Sequence, residues 1–212
     1  MRRARALRTV VLGVVPLLFT VSLAGAQILP TPCVPPPGNP PDDFLTGGGF
    51  INATATDLTG VAIEPQSRKN FGVGGGCKQG GDGHGLWGHL EYVDHGNGLN
   101  VHWMTITTYS TDNLTALPDP NARLICGTAR TNDPNHPNVF FGVRAADQGL
   151  PDGANKFDIQ LMDQTSGAIF YTTFVAGFPH TPEGGNIKIH KPNPSTMGSI
   201  SNGPCNALLG IM

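Results

Sequence analysis

Period-two alternation of apolar and polar side chains dominates this chain beyond its N-terminal segment. In Leu99–Tyr109, LNVHWMTITTY, the residues Leu99, Val101, Trp103, Thr105 and Thr107 share one face, and His102, Met104 and Ile106 share the other. Both faces are partly apolar, which predicts a strand inside a sheet. NVFFGVRAAD groups Val139, Phe141, Val143 and Ala145 opposite Phe140, Gly142 and Arg144. NKFDIQLMD sets Phe157, Ile159 and Leu161 inward and Lys156, Asp158 and Gln160 outward, the cleanest half-buried strand of the chain.

Shorter candidates run over residues 50–55, 70–73, 86–93, 122–129, 168–174 and 186–190. Gly, Pro, Asn and Asp separate them, as turns with left-handed or fixed dihedrals require. Helical periodicity is nearly absent. Roughly nine short strands predict an all-β fold, a single antiparallel β-sandwich or curled barrel, since either closure buries one face of each strand. GVGGGCKQGGDGHG, beginning at Gly72, lacks the spacing and following helix of a phosphate loop, and reads as a mobile hairpin or long loop.

The first residues change the picture. Arg2, Arg3, Arg5 and Arg8 precede an apolar run from about Val10 to Leu23 and the small residues Ala24, Gly25 and Ala26. This is the layout of a signal peptide over residues 1–26, and Pro16 interrupts a run already short for a bilayer span. The expectation is a secreted protein, extracellular or periplasmic, with no stable membrane span after cleavage. Residues 27–45, rich in proline, form an extended spacer, and residues 46–212 form one β-rich domain. Cleavage removes four of the thirteen Lys and Arg side chains and none of the fifteen acidic ones, so formal charge moves from −2 to −6. An acidic chain is a poor match for nucleic acid, which demands a basic surface.

Export also makes disulfides permissible for Cys33, Cys77, Cys126 and Cys205, with three possible pairings. The favoured arrangement joins Cys77 to Cys126 within the domain and Cys33 to Cys205 at its ends. No two cysteines have the close spacing of a zinc site.

Candidate chemistry concentrates in DQGLPDGANKFDIQLMD, which carries Asp147, Asp152, Asp158 and Asp163 with Asn155 among them. Asp147, Asp152 and Asn155 share one loop and supply the hard oxygen ligands that calcium takes. A structural turn is the competing reading: Asp147 accepts backbone N–H bonds, Pro151 sets the bend and Gly153 permits an unusual dihedral. Asp163 belongs to a turn at the end of its strand. Glu91 and Asp94 fall on opposite faces of LEYVD, a poor arrangement for paired-carboxylate hydrolysis. His84, His89, His95 and His102 form no compact metal or catalytic motif and read as solvent-facing. Trp87, Tyr92, Trp103, Tyr109 and Tyr171 are candidates for a stacking surface, with Trp103 assigned to the core.

Three anchors in fixed order carry a family resemblance: TGGGFI at Thr46; KNFGVGGG at Lys69 with GHLEYVDHGNGLNVH at Gly88; and FFGVRAADQGLPDGANKFDIQL at Phe140, closed by GAIFY at Gly167. Together they resemble the post-COAP domain family of secreted bacterial proteins over residues 46–171. The resemblance implies an all-β accessory domain with no catalytic residues to carry over. The chain departs from the pattern in standing alone, in its cysteines, and in having Asn155 where an acidic residue commonly stands, which weakens the cation site. The expected function is a non-catalytic extracellular structural or adhesive accessory module, without an enzyme's active site. A calcium-supported carbohydrate- or surface-binding module is the alternative and a secreted hydrolase the distant third; the expected partner is a cell-surface glycan or protein.

Overall fold

The computed structural model describes residues 43–56, 62–78, 85–112, 118–149, 155–174 and 180–192, together with residues 196, 205 and 208. Residues 1–42 with Cys33, His84, and residues 150–154 with Asp152 lie outside them, and with them the expected signal peptide and most of the expected spacer. Nine strands follow in order: β1 (Phe44–Ala53), β2 (Ser67–Cys77), β3 (Leu86–Asp94), β4 (Asn100–Asp112), β5 (Asp119–Thr131), β6 (Asn138–Ala146), β7 (Lys156–Asp163), β8 (Ile169–Thr172) and β9 (Gly184–His190). They build one sheet in the order β8-β7-β6-β5-β4-β3-β2-β1-β9. Every adjacent pair is antiparallel, so β1 to β8 form a meander and β9 returns beside β1.

The sheet curls into a half-barrel rather than splitting into two packed layers. Thr56, just past β1, exchanges backbone hydrogen bonds of 3.0 and 3.1 Å with Thr172 in β8, far away in strand order. Phe157 in β7 donates its N–H to His180, ahead of β9, at 3.0 Å. The concave face collects the apolar side of each strand, including Leu45, Ile51, Val73, Leu90, Phe141 and Ile159, all 0% exposed. Phe71 and Phe157 stack across it with ring centroids 3.8 Å apart. Burying a side chain of this size contributes about 1.5 to 3 kcal/mol, so the curl is driven by closing this face against itself.

Five expectations change here, the last being the cysteine pairing. The inward face of β4 holds only as far as Trp103. Register shifts between Trp103 and Thr105 and between Ile106 and Thr108 mark bulges, after which Thr105 is exposed, Ile106 packs on the core and Tyr109 is buried. Each extra residue rotates the following side chains to the opposite face. Second, Gly72–Cys77 is strand rather than loop: β2 pairs along its length with β1 and β3. Its glycines admit neighbours instead of bending the chain, since a Cβ on Gly75 would press on Ile125 and Tyr109. Third, β1 begins at Phe44.

Fourth, Asp158 and Gln160 do not face water. They are 0% and 3% exposed. Gln160 donates to the carbonyl of Leu208, and Leu124, Cys126 and Cys205 cluster on the same convex side. A disulfide joins Cys126 to Cys205, and Cys77 is disulfide-bonded as well. This overturns both favoured pairings, Cys77 with Cys126 and Cys33 with Cys205. Strand alternation says nothing about which distant residue reaches a sheet's second face, and here that contact selects the bond.

Candidate functional site

The acidic loop is a clasp. Asp147 accepts a hydrogen bond from the Gly149 N–H at 3.0 Å, an Asx-type turn, and another from the Ile189 N–H at 2.9 Å. Lys188 pairs with it at 3.0 Å. Burial pushes its carboxyl upward, but these donors outweigh burial and hold it below its ordinary value. Asn155 accepts from the Gln148 N–H and donates to Asn186 and to the Ile187 carbonyl, at 3.0 to 3.1 Å. The two side chains therefore tie the β6–β7 connection to β9, which is remote in sequence. Asp152, third of the expected calcium ligands, lies outside the described residues. Among those residues no group of three or more His, Cys, Asp or Glu is placed to hold a metal ion.

Asp163 is the expected turn residue: it accepts from the Thr165 and Ser166 N–H groups and the Ser166 hydroxyl at 2.7 to 3.0 Å. Asp158 lies on the opposite side of its strand from Phe157, where it accepts from the Thr173 hydroxyl and the His180 backbone N–H and is bonded to the His180 ring Nδ1. Burial nonetheless keeps its carboxyl above the usual range.

The histidines and aromatics sort differently. His102 and Glu91 form an exposed pair at 2.5 Å, and His95 is exposed in a turn. Tyr92, Tyr109 and Tyr171 are fully buried and supply no stacking surface, while Trp103 is partly buried against the core. Their phenols are polar handles for interior carboxylates: Tyr109 donates to Asp43 at 2.6 Å, beside Arg123.

Trp87 instead belongs to an outer strip. Its ring meets Phe44 edge-on at 6.2 Å and His89 edge-on at 6.3 Å. Phe44 stacks on His190 at 4.5 Å, and Lys78 Nζ stands 4.0 Å from the Trp87 centroid. Glycine makes room for the strip: a Cβ on Gly74 would run into the His89 and Trp87 rings, and one on Gly76 into Phe44. Thr46 and His190 share a hydrogen bond of 2.7 Å along the same edge. The strip is half-buried and combines aromatic faces with a cation, a hydroxyl and imidazoles, the mixture that binds amphipathic ligands.

The densest polar constellation is internal. Lys69 points into the half-barrel, its side chain 0% exposed. Its ammonium shares three N–H groups among four acceptors, the Ala53 carbonyl at 2.8 Å, Ser67 Oγ at 2.7 Å, Asp94 Oδ1 at 3.2 Å and Glu64 Oε1. Ser67 also bonds to Asp94 Oδ1 at 2.9 Å and Glu64 Oε2 at 3.2 Å. Tyr171 donates to Asp94 Oδ2 at 2.6 Å, and the Gly96 N–H to Oδ1 at 2.8 Å. Having given its one proton to Asp94, Tyr171 accepts from Tyr92, whose oxygen is 2.6 Å away. Burial alone would raise the Asp94 carboxyl; the Tyr171, Gly96 and Ser67 bonds and the Lys69 charge together lower it.

Strand register brings this cluster together, since Lys69 and Asp94 are direct partners across β2 and β3. Glu64 enters from the segment before β2, where its carboxylate fills space that any side chain on Gly96 would occupy. From sequence, Asp94 falls on the face opposite Glu91, and Lys69 stands only as the first residue of KNFGVGGG, with no role of its own. The available signal was parity: Lys69 lies two residues from Phe71, and Asp94 two from Tyr92, each on the apolar face.

No family model, no curated protein and no solved structure matches the chain. The fold and its sites therefore carry the functional reading.

Proposed function

We propose that the chain is an exported, non-catalytic adhesive accessory module that holds a cell-surface glycan against the outer strip of Phe44, Trp87, His89 and His190. That aromatic strip, seated on β2 glycines, is the observation that supports the reading. Sugar C–H faces stack on flat rings, while Lys78, Thr46 and the imidazoles supply donors and acceptors for hydroxyls. The rest of the molecule suits a support: carboxylates are engaged in clasps, and a disulfide fastens Cys205 to the sheet. A structural role for the Asp147 turn fits this better than calcium, because its oxygens already receive two backbone N–H groups and an ammonium.

A polysaccharide array probed with the mature protein, with calcium and with chelator, tests the proposal. Retention on particular glycans in both conditions, lost in Trp87→Ala at unchanged denaturant midpoint, is the expected result. Equal retention by the variant, or none by the wild type, would remove the strip from the function. Retention only with calcium would restore the cation-dependent alternative.

A further inference from the structure

The interior cluster contains the reactants for an amide condensation. An ε-amine faces a carboxyl on the paired strand, a second carboxylate touches the same nitrogen, and all three side chains are almost wholly shielded from solvent, at 0%, 0% and 3% exposure. We propose that Lys69 and Asp94 condense into an intramolecular isopeptide bond joining β2 to β3, with Glu64 as the proton carrier. The inference stands apart from the glycan reading, since the bond forms within one chain and needs no ligand.

The geometry supplies each part. Register pairing of Lys69 with Asp94 holds nucleophile and electrophile together through folding itself, which replaces a bimolecular encounter by a fixed approach. The nucleophile must be the neutral amine, and Glu64 Oε1, in contact with Nζ, is placed to take a proton from it. Ser67 Oγ bridges Glu64 Oε2 and Asp94 Oδ1, forming a relay to the oxygen nearest the lysine. Asp94 Oδ2 faces the Tyr171 hydroxyl, a donor aimed where negative charge gathers as Cγ becomes tetrahedral.

The reaction then runs as follows. Glu64 removes one proton from the ammonium, and Ser67 passes it to Asp94 Oδ1. The Nζ lone pair attacks Cγ, forming the C–N bond and moving the carbonyl pair onto Oδ2. Glu64 takes a second proton from nitrogen and returns it through Ser67 to Oδ1. The Oδ2 pair re-forms the carbonyl as the Cγ–Oδ1 bond breaks, and water leaves. One ammonium and one carboxylate become one amide and one water; Glu64 ends as it began, and nothing is oxidised or reduced. In bulk water the reverse hydrolysis is favoured by the solvent's abundance. Within the half-barrel water is excluded, and condensation removes the cost of keeping an ammonium and one of its two carboxylates buried as ions.

Intact mass spectrometry of the secreted, disulfide-oxidised chain, with its N-terminus determined, is the decisive experiment. The expected mass is one water below that of the sequence with its disulfides formed, and proteolysis yields a branched peptide containing Lys69 and Asp94. Lys69→Met should restore the full mass, which separates this bond from cyclisation at an Asp-Gly step elsewhere. Glu64→Gln should fold and leave the bond unformed or slow to form. A wild-type chain at full mass, with Lys69 and Asp94 in separate linear peptides, would overturn the proposal. A water loss that persists in Lys69→Met would do the same, and complete bonding in Glu64→Gln would overturn the assignment of the proton carrier.

Discussion

The loop at Asp147 and the cluster at Lys69 both gather acidic oxygens, yet they are opposite kinds of site. Asp147 is met mainly by neutral backbone donors at the sheet's rim, with an ammonium whose side chain is 55% exposed. Asp94 and Glu64 share an ammonium that is 0% exposed. At the rim, loss of one partner is softened by water. Inside, it leaves uncompensated charge in a medium that cannot solvate it. Acidic density along a sequence is thus a poor guide to chemical tension, which depends on what surrounds the carboxylates.

The sharpest break of that comparison is Lys69→Met, which leaves two carboxylates facing each other in the interior. It should lower stability by about 3 to 5 kcal/mol, read as a fall in the denaturant midpoint. A loss no larger than that of a rim substitution would mean that water reaches the cluster. Asp147→Ala should cost about 1 to 2 kcal/mol by leaving the Gly149 and Ile189 N–H groups without their partner. The loss should be the same in calcium and in chelator, and a wild-type midpoint raised by calcium would contradict the clasp reading.

A smaller effect lies in the acid limb. The folded Asp147 carboxyl is lower than its ordinary value, so between the two values the unfolded chain binds more protons. Stability should therefore rise with pH through that window and be lost as pH falls through it. Asp147→Asn should flatten this limb. Asp158, pushed upward by burial, contributes with the opposite sign: stability falls as pH climbs from the ordinary carboxylate range through its raised value. Midpoints across a pH series in Asp147→Asn and in Asp158→Asn separate these slopes. Smallest of all is Glu91→Gln, which breaks a pair whose side chains are 54% and 68% exposed. It should change stability by less than about 0.5 kcal/mol, and a larger loss would show that the strip side of the sheet is less solvated than it looks.

Much of the core was legible. Val139, Phe141, Val143, Phe157, Ile159 and Leu161 fall inward as their parity requires, and all are buried. Parity failed between the two bulges of β4, where Thr105 turns outward and Ile106 inward, because an extra residue leaves no local mark in a run such as MTITTY. The Asp147 turn was legible in its local part, the bond from the Gly149 N–H, while its Ile189 and Lys188 partners come from β9 and left no local mark. The aromatic strip was not. Phe44 and His190 are 146 residues apart and meet only because β9 returns to β1.

Taken alone, the amino-acid order determined the local part of this protein: extended segments, the turns between them, and the apolar side of each strand, since these depend on neighbours one to a few residues away. Only the tertiary structure decided which strands adjoin, which residues cover the convex side, which cysteine meets Cys126, and that Lys69, Glu64 and Asp94 share one enclosed space. Those outcomes depend on how a twisted sheet closes, and closure is set by packing summed over the whole interior rather than by any single stretch of chain.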